Sequence, residues 1–407
     1  MAPIASIRAL AQRAAFNLHL PSSEFKDQLT NPGDVFSVLL ILGGDVVGRA
    51  LAQLAGTGLT PVTFSFGWVA YAVTAVVSAV GANKLMPPPD CDCIVINGKS
   101  AYSRSNTSWI LGRIVRDYES WTHSDVRKGV DQIINERWEL DKQNAEANDK
   151  GSGGLQERPT QAGLCIAIYR AKPAEPGQIS RDALYWSCFA VVVFQLGVAA
   201  IPFGIWGDWS ILLITFAGIV LAFLSGSLRQ WRTEKWSCRR LKKPKDVIIT
   251  RGNGAQHAII VRDPGHGLDL ESLAAGQTSV DFTASLTTRT IIVLLAVLWV
   301  VLLICASGIK TNTWFLLAVG GIGIVQNIVI AGWRRDPSAY GLPLKFEKVI
   351  SKSKVMPALF AIEEEIPGIG SSMLETFFPG TLRRDEQIKW DNYRDTASAR
   401  SNAVAIP

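Results

Sequence analysis

The chain has 407 residues, a formal net charge of +6, 48% apolar residues and only 19% charged ones, with a mean hydropathy of +0.19. That balance excludes an ordinary soluble protein, which carries more charge, and a chain buried wholly in lipid, which carries less. It fits a membrane protein with sizeable soluble parts.

In chain order, residues 1–34 read as a cytosolic arm. "MAPIASIRALAQRAAFNLHL" lacks the continuous apolar core and cleavage site of a secretory signal. Arg8 and Arg13 among Ile4, Ile7, Leu10 and Ala14, with no acid before Glu24, give the pattern of an amphipathic helix and, to a lesser degree, of a mitochondrial presequence. Six nearly uncharged windows of roughly 20 residues follow, the length a helix needs to cross a hydrocarbon core about 30 Å thick. They are Val35 to Leu54, Val62 to Ala82, Trp186 to Trp206, Trp209 to Leu228, Thr290 to Ile309 and Trp314 to Trp333; all but the first lack Asp, Glu, Lys, Arg and His. Soluble core helices keep a polar face, so a transmembrane reading is favoured.

The links inside each pair are short ("AGTGLTP", "GD", "KTNT"), and those between pairs are long and polar. The expected fold is therefore a membrane α-helical bundle of six spans in three hairpins, 35–82, 186–228 and 290–333. The loops 83–185 and 229–289 and the tail 334–407 build a small mixed α/β module. Lys84, Arg181, Arg289, Arg334, Arg335 and the run from Arg229 to Lys245 oppose Lys310 alone in the short turns. Positive charge marks the cytosolic side, so both termini are expected there, in the plasma membrane or an endomembrane. Trp186, Trp206, Trp209, Trp314 and Trp333 fall at helix ends, where an indole bridges apolar and wet layers.

In the long segments, "CIVIN" from Cys93, "LCIAIY" from Leu164, "DVIIT" from Asp246 and "HAIIV" from His257 are rich in β-branched residues and predict strands. Asn253 and Gly254 supply a hairpin turn between the last two. Helical patterns span Trp109 to Gln143, Leu268 to Ala275, Met356 to Ile366 and Asp385 to Tyr393. "NDKGSGGLQERP" reads as a surface linker and "RDTASARSNAVAIP" as a disordered end. The six cysteines fall in cytosolic loops or helices, where reduced thiols are expected. "CDC" at Cys91 and Cys93 has no nearby His or further Cys pair to complete a zinc set.

The blocks "FNLHLPSSEFKDQLTNPGDVFSVLLILGGDVVGRALAQLAG", "RGNGAQHAIIV", "GLDLESLA" and "LETFFPGTLRRDEQIKWD" resemble those of an uncharacterised family of multi-spanning membrane proteins of filamentous fungi. The resemblance covers most of the chain and implies this arrangement in a membrane. It carries over no activity, cofactor or catalytic residue. Some such proteins are encoded beside natural-product genes, which implies an accessory role in such a pathway.

Motifs for phosphate loops, zinc proteases, nucleophile elbows and dinucleotide binding are absent from the sequence, and no cofactor is expected. His257 and His266 with Asp263 are the best material for a cytosolic catalytic site. "PGDVFS" at Pro32 departs from the carrier repeat P-x-[DE]-x-x-[KR], with Ser37 where the base should be. The basic run "RQWRTEKWSCRRLKKPK" suggests nucleic acid at first sight. Its position directly after a span favours anionic lipid headgroups instead, contacted by Arg229, Arg232, Arg239, Arg240, Lys242, Lys243 and Lys245. The sequon at Asn106 lies in a cytosolic loop and is expected to be silent.

Asp45 and Arg49 interrupt the first window four residues apart, hence on one helix face, and Gln53 continues that stripe. A charge at the middle of a span costs about 2.5–3.5 kcal/mol on insertion scales, so the pair is expected to neutralise itself on the bundle's interior face. Gln195, Gln326 and Asn327 are the expected neighbours. One reading is a polar pathway or ligand site between helices; the other is a structural pair, or an Arg49 that snorkels to headgroups. At the level of function, transport of a small solute leads narrowly over a non-catalytic scaffold, with a membrane enzyme third. The break that Pro202 makes in the third window favours transport.

Overall fold

The computed structural model describes residues 35–56, 58–81, 84–147, 157–276 and 284–404, without the side chains of 35–42, 145–147 and 396–404. The N-terminal arm and most of the expected linker lie outside these residues. All six apolar windows are helical, wholly or in part: α1 (Val35–Leu54), α2 (Gly67–Gly81), and then, after the helices α3 (Trp109–Arg116), α4 (Tyr118–Trp121) and α5 (Ser124–Ala147), α6 (Ala183–Trp206) and α7 (Ser210–Gly226). The basic α8 (Arg229–Lys235) and the short α9 (Leu270–Ala275) precede α10 (Leu286–Ser307) and α11 (Thr313–Gly332). Three helices, α6, α10 and α11, are each long and apolar enough to cross a membrane. The pair α7 and α8, bent by 41°, would make a fourth.

The six helices close into a ring, in the order α1, α2, α10, α7, α6, α11 and back to α1. Around its outside lie exposed apolar side chains such as Val193, Phe194, Phe216, Leu294, Ile304 and Val325. The five tryptophans at helix ends are all about half exposed or more, from Trp314 at 48% to Trp209 at 61%. Trp186 and Trp206 are separated along α6 by about 30 Å at 1.5 Å per residue, the thickness of a hydrocarbon core. Pro202 does not break α6, which runs on to Trp206 and ends at Gly207, whose φ of 71° a glycine adopts without strain.

Helices α1 and α2 do not form a hairpin. Gly43 of α1 meets Gly67 and Ile324, whereas Gln53 bonds the carbonyls of Ile330 and Trp333, so α1 runs parallel to α11. A cavity between α2 and α10 is lined by Ala72 and Ala75 with Leu295, Ile292 and Leu85, toward the soluble module. Thus α2, too, runs toward the module. Between them the chain re-enters the ring in extended form: Thr60 bonds Gly226 near the module end of α7, and Phe64 sits over Gly218 two turns deeper. Helix α2 then starts at mid-depth and, at 15 residues, crosses only the module half. The window from Val62 combined an extended plug and a half-length helix, both apolar, which composition cannot tell from one span.

The module is a six-stranded sheet in the order β2 (Ser103–Ser105), β1 (Ile94–Asn97), β4 (Lys245–Thr250), β5 (His257–Asp263), β3 (Leu164–Ala171), β6 (Leu344–Lys352). Only β3 and β5 pair in parallel. The strand period of two gives it two apolar faces. Val95, Cys165, Ala167, Tyr169, Val247 and Ile249 join the core that continues into the ring. Ile96, Ile166, Ile168, Ile248 and Ile260 pack under α12 (Val355–Glu365), α13 (Ile369–Phe377) and α14 (Arg384–Val404). The end expected to be disordered is helical to Val404.

Glycine makes the re-entry possible: a Cβ at Gly323 would collide with the Phe64 carbonyl and lie 2.8 Å from Gln195 Nε2, while one at Gly321 would meet nothing within 4 Å. Gly323→Val should therefore destabilise the detergent-purified protein by about 1–3 kcal/mol or more through overpacking. Gly321→Ala, at an open position within α11, should hold or raise the unfolding midpoint in the same thermal assay.

Candidate functional site

The polar residues at membrane depth are assigned by the re-entrant segment. Non-helical backbone among apolar helices must have its N–H and C=O groups satisfied by the protein itself. Gln195 Nε2 donates to the Phe64 carbonyl at 2.8 Å and to the Val319 carbonyl at 2.8 Å. Asn327 Nδ2 and Trp68 Nε1 both donate to the Thr63 carbonyl, at 3.1 and 2.9 Å, and Thr63 Oγ1 donates to Asn327 Oδ1 at 2.8 Å. Gln195 and Asn327 are fully buried. Phe64 and Trp68 stack on Trp299 with centroids 6.2 and 5.3 Å apart, closing the ring at mid-depth. Two further polar atoms in the ring, Gln195 Oε1 and Thr215 Oγ1, are enclosed without a hydrogen-bond partner among the described residues.

Gln326 is set apart from this network and donates to Ser187 Oγ at 3.0 Å. Asp45 and Arg49 do pair, at 3.0 Å, but not inside the bundle: their side chains are 80% and 54% exposed on the outer face of α1. Gln53 does not continue their stripe. One turn beyond Arg49, its side chain turns inward, fully buried, accepting from the Tyr340 hydroxyl at 2.7 Å and donating to the Trp333 carbonyl at 2.8 Å. The expected single polar stripe is therefore two sites, because α1 packs between α2 and α11 and leaves one narrow face uncovered.

Where the ring meets the module, three basic side chains are buried. Lys235 Nζ donates to the carbonyls of Gln53 and Ala55 at 3.0 and 3.1 Å. Arg335 donates to the Gln53 carbonyl at 3.0 Å and is bidentate with Asp182, at 2.7 and 3.0 Å. Arg113 donates to the carbonyls of Ala331 and Trp333 at 2.6 and 3.2 Å and pairs with Asp90. These carbonyls are the unsatisfied, partly negative C-terminal ends of α1 and α11, where a cation is favoured. Asp182 in turn caps the N-terminus of α6 through Tyr185 N at 3.1 Å. Glu234 accepts from the backbone N–H groups of Leu85 and Met86, at 2.8 and 2.7 Å, and fixes the exit of α2.

Of the seven basic residues expected at headgroups, Arg229, Arg232, Arg239, Arg240, Lys242 and Lys243 are exposed and Lys245 is half-buried. Trp231, Glu234, Lys235 and Trp236 are buried in this junction. Lys245 is taken up by ion pairs with Asp269 and Glu271, each at 2.7 Å. Arg240 is 3.3 Å from Glu175, and Arg232 donates to the Pro176 carbonyl at 2.9 Å. The run's alternation of bulky aromatic and charged residues was the available signal for a buried junction.

His257 and His266 are not brought together, since they flank opposite ends of β5. Asp263 accepts the N–H groups of Gly265, His266 and Gly267 on Oδ1 alone, and its Oδ2 is buried without a hydrogen-bond partner among the described residues. His257 lines a separate cavity of about 400 Å³ with Arg116, Glu119, Arg251 and Gln256. Burial pushes its imidazole below its usual range against the pull of Glu119. Asn106 is 7% exposed, its side chain engaged with Ser108. A sequon so enclosed is a poor glycan acceptor on either side of a membrane. Among the described residues no group of three His, Cys, Asp or Glu is placed to hold a metal ion.

Replacing Gln195 or Asn327 by Leu should lower stability by about 1–3 kcal/mol per orphaned backbone carbonyl. Arg335→Leu should cost about 3–5 kcal/mol, because it strands Asp182 and opens the end of α1; thermal unfolding in detergent ranks the three. A pH effect comes from Glu271. Burial alone would raise its carboxyl, but hydrogen bonds from Lys245 and Asn97 and nearby positive charge outweigh this and hold it below the ordinary range. Its contribution is therefore complete above the unfolded value of about 4.3 and is lost as pH falls through the lower folded value. Acid titration of the unfolding midpoint should show that loss, and Glu271→Gln should flatten it.

No protein-family model, no curated protein and no solved structure matches this chain.

Proposed function

We propose that this is an integral membrane protein that conducts a small solute through its helix ring and is closed at mid-depth by the re-entrant segment. Five helices, α1, α6, α7, α10 and α11, cross the bilayer, and α2 crosses half of it. The module is cytosolic, because the basic residues cluster at its end of the ring and outnumber Lys310 of the far turns together with Arg8, Arg13 and Lys26, which precede α1. On this layout the start of α1 faces away from the cytosol and the C-terminal tail faces it. This differs from the expectation of six spans, since α1 and α2 run the same way.

The observation that carries the reading is the extended stretch Thr63–Phe66, fully enclosed at membrane depth and held by side-chain amides. Irregular backbone within a bundle is expensive and is tolerated where it is buried in protein or lines a pathway, and broken segments of this kind build the sites of transporters. The enclosed, unpartnered Gln195 Oε1 and Thr215 Oγ1 are polar groups that a solute would meet if the plug moved. A scaffold is the second reading, favoured by the aromatic closure of Phe64, Trp68 and Trp299.

The two are separated in liposomes by osmotic swelling with a panel of small polar solutes. Phe64→Ala combined with Trp299→Ala should open the constriction and raise swelling for some solutes well above that of empty vesicles. A folded double variant as tight as empty vesicles for every solute would leave the scaffold reading standing.

A further inference from the structure

The exposed ion pair is the feature the closed ring does not explain. Asp45 lies eight residues before Gln53, which bonds the rim carbonyl of Trp333, so it stands about 12 Å inside that rim, and Arg49 about 6 Å. Both side chains point away from the ring. Of the outward residues of the flanking helices, Val73 and Val77 of α2 and Val325 and Ile328 of α11 are apolar, and Thr74 of α2 returns its hydroxyl to the Tyr71 carbonyl. An isolated charged pair surrounded by lipid loses its hydration with no hydrogen-bond partner for most of its lone pairs and protons.

We infer that this face of α1 is the contact between two copies of the chain, related by a two-fold axis along the membrane normal. The inference rests on the membrane-spanning reading. A closed dimer interface is self-complementary: each residue of one copy meets its counterpart set in the other. Two parallel α1 helices bring Arg49 of each copy to Asp45 of the other. The intrahelical bonds become a ring of four alternating charges, in which each acid lies between two bases. The apolar residues of α2 and α11 surround this centre and exclude lipid from it. An acid and a base one helical turn apart on the same face are what such a pairing requires. Arg49 reaching to headgroups leaves Asp45, nearer the middle, uncovered.

The test uses the full chain in lipid nanodiscs and reads the copy number by native mass spectrometry. Wild type should be dimeric, and Val46→Cys should cross-link two copies on oxidation. Asp45→Arg and Arg49→Asp each place like charges face to face and should weaken association about tenfold or more, the scale of a lost interhelical polar contact. Co-expressed, the all-basic and all-acidic chains should pair with each other, and the exchanged variant Asp45→Arg/Arg49→Asp should dimerise again. Recovery in these two cases separates a lost contact from a misfolded helix. A wild-type monomer in lipid, or a dimer that none of the variants weakens, would overturn the inference. Resistance to alkaline extraction is scored alongside: an extractable protein sinks the membrane reading, whereas an inextractable monomer sinks only the dimer.

Discussion

The unsatisfied carbonyls at the ends of α1 and α11 set the terms for the rest of the molecule. Both helices finish inside the protein, and neither can hand its last carbonyls to water. Lys235, Arg335 and Arg113 are drawn in to meet them, and each rests near an aromatic ring, Trp236, Tyr340 and Trp109 respectively. The three basic side chains come from three distant parts of the sequence: the segment after α7, the exit of α11 and the first helix of the module. Satisfying two helix ends therefore ties the soluble module to the ring. The sheet's inner face and the bundle then share one continuous apolar core. The module is not a separable appendage on a membrane anchor.

The same economy governs the ring's centre. Removing one backbone from helical pairing frees several polar groups at once, and the carbonyls of Thr63 and Phe64 are met locally by Asn327, Trp68 and Gln195. Glycines at positions 218, 320 and 323 let the segment approach two helix backbones, those of α7 and α11. Neither feature works without the other: the amides need the backbone within reach, and the small residues leave it unsatisfied unless amides stand beside them.

Much of this was legible in the sequence and some was not, for identifiable reasons. The apolar windows, the strand-forming runs and the aromatic belts depend on local composition: five of the six windows are helical over most of their length, the second only from Gly67, and the four strands are where the pattern puts them. The strand β6, "LKFEKVISK", has its pattern interrupted by a register shift opposite Ile168 and Tyr169 and by charged residues at the sheet edge, so its period was masked. Chain direction left no local trace: α2 reads as a span because an extended plug and a half helix are equally apolar. The polar residues Gln195 and Asn327 were found as anomalies, but their partners are backbone groups, which every residue carries and no side-chain pattern reveals. Asp45 and Arg49 were recognised as a pair by spacing alone, while the face they occupy depends on which helices flank α1.

On the membrane-spanning reading, the half-length of α2 gives the body a taper. In the leaflet next to the module the ring has six helices, with the re-entrant segment descending among them. In the opposite leaflet it has five. Such a wedge displaces more lipid from one leaflet than from the other. Its energy therefore depends on the local bending of the membrane and on the lateral pressure within each leaflet. On that reading, movement of the segment and half helix would change the two cross-sections unequally, and membrane tension and curvature would bear on the same element that closes the ring.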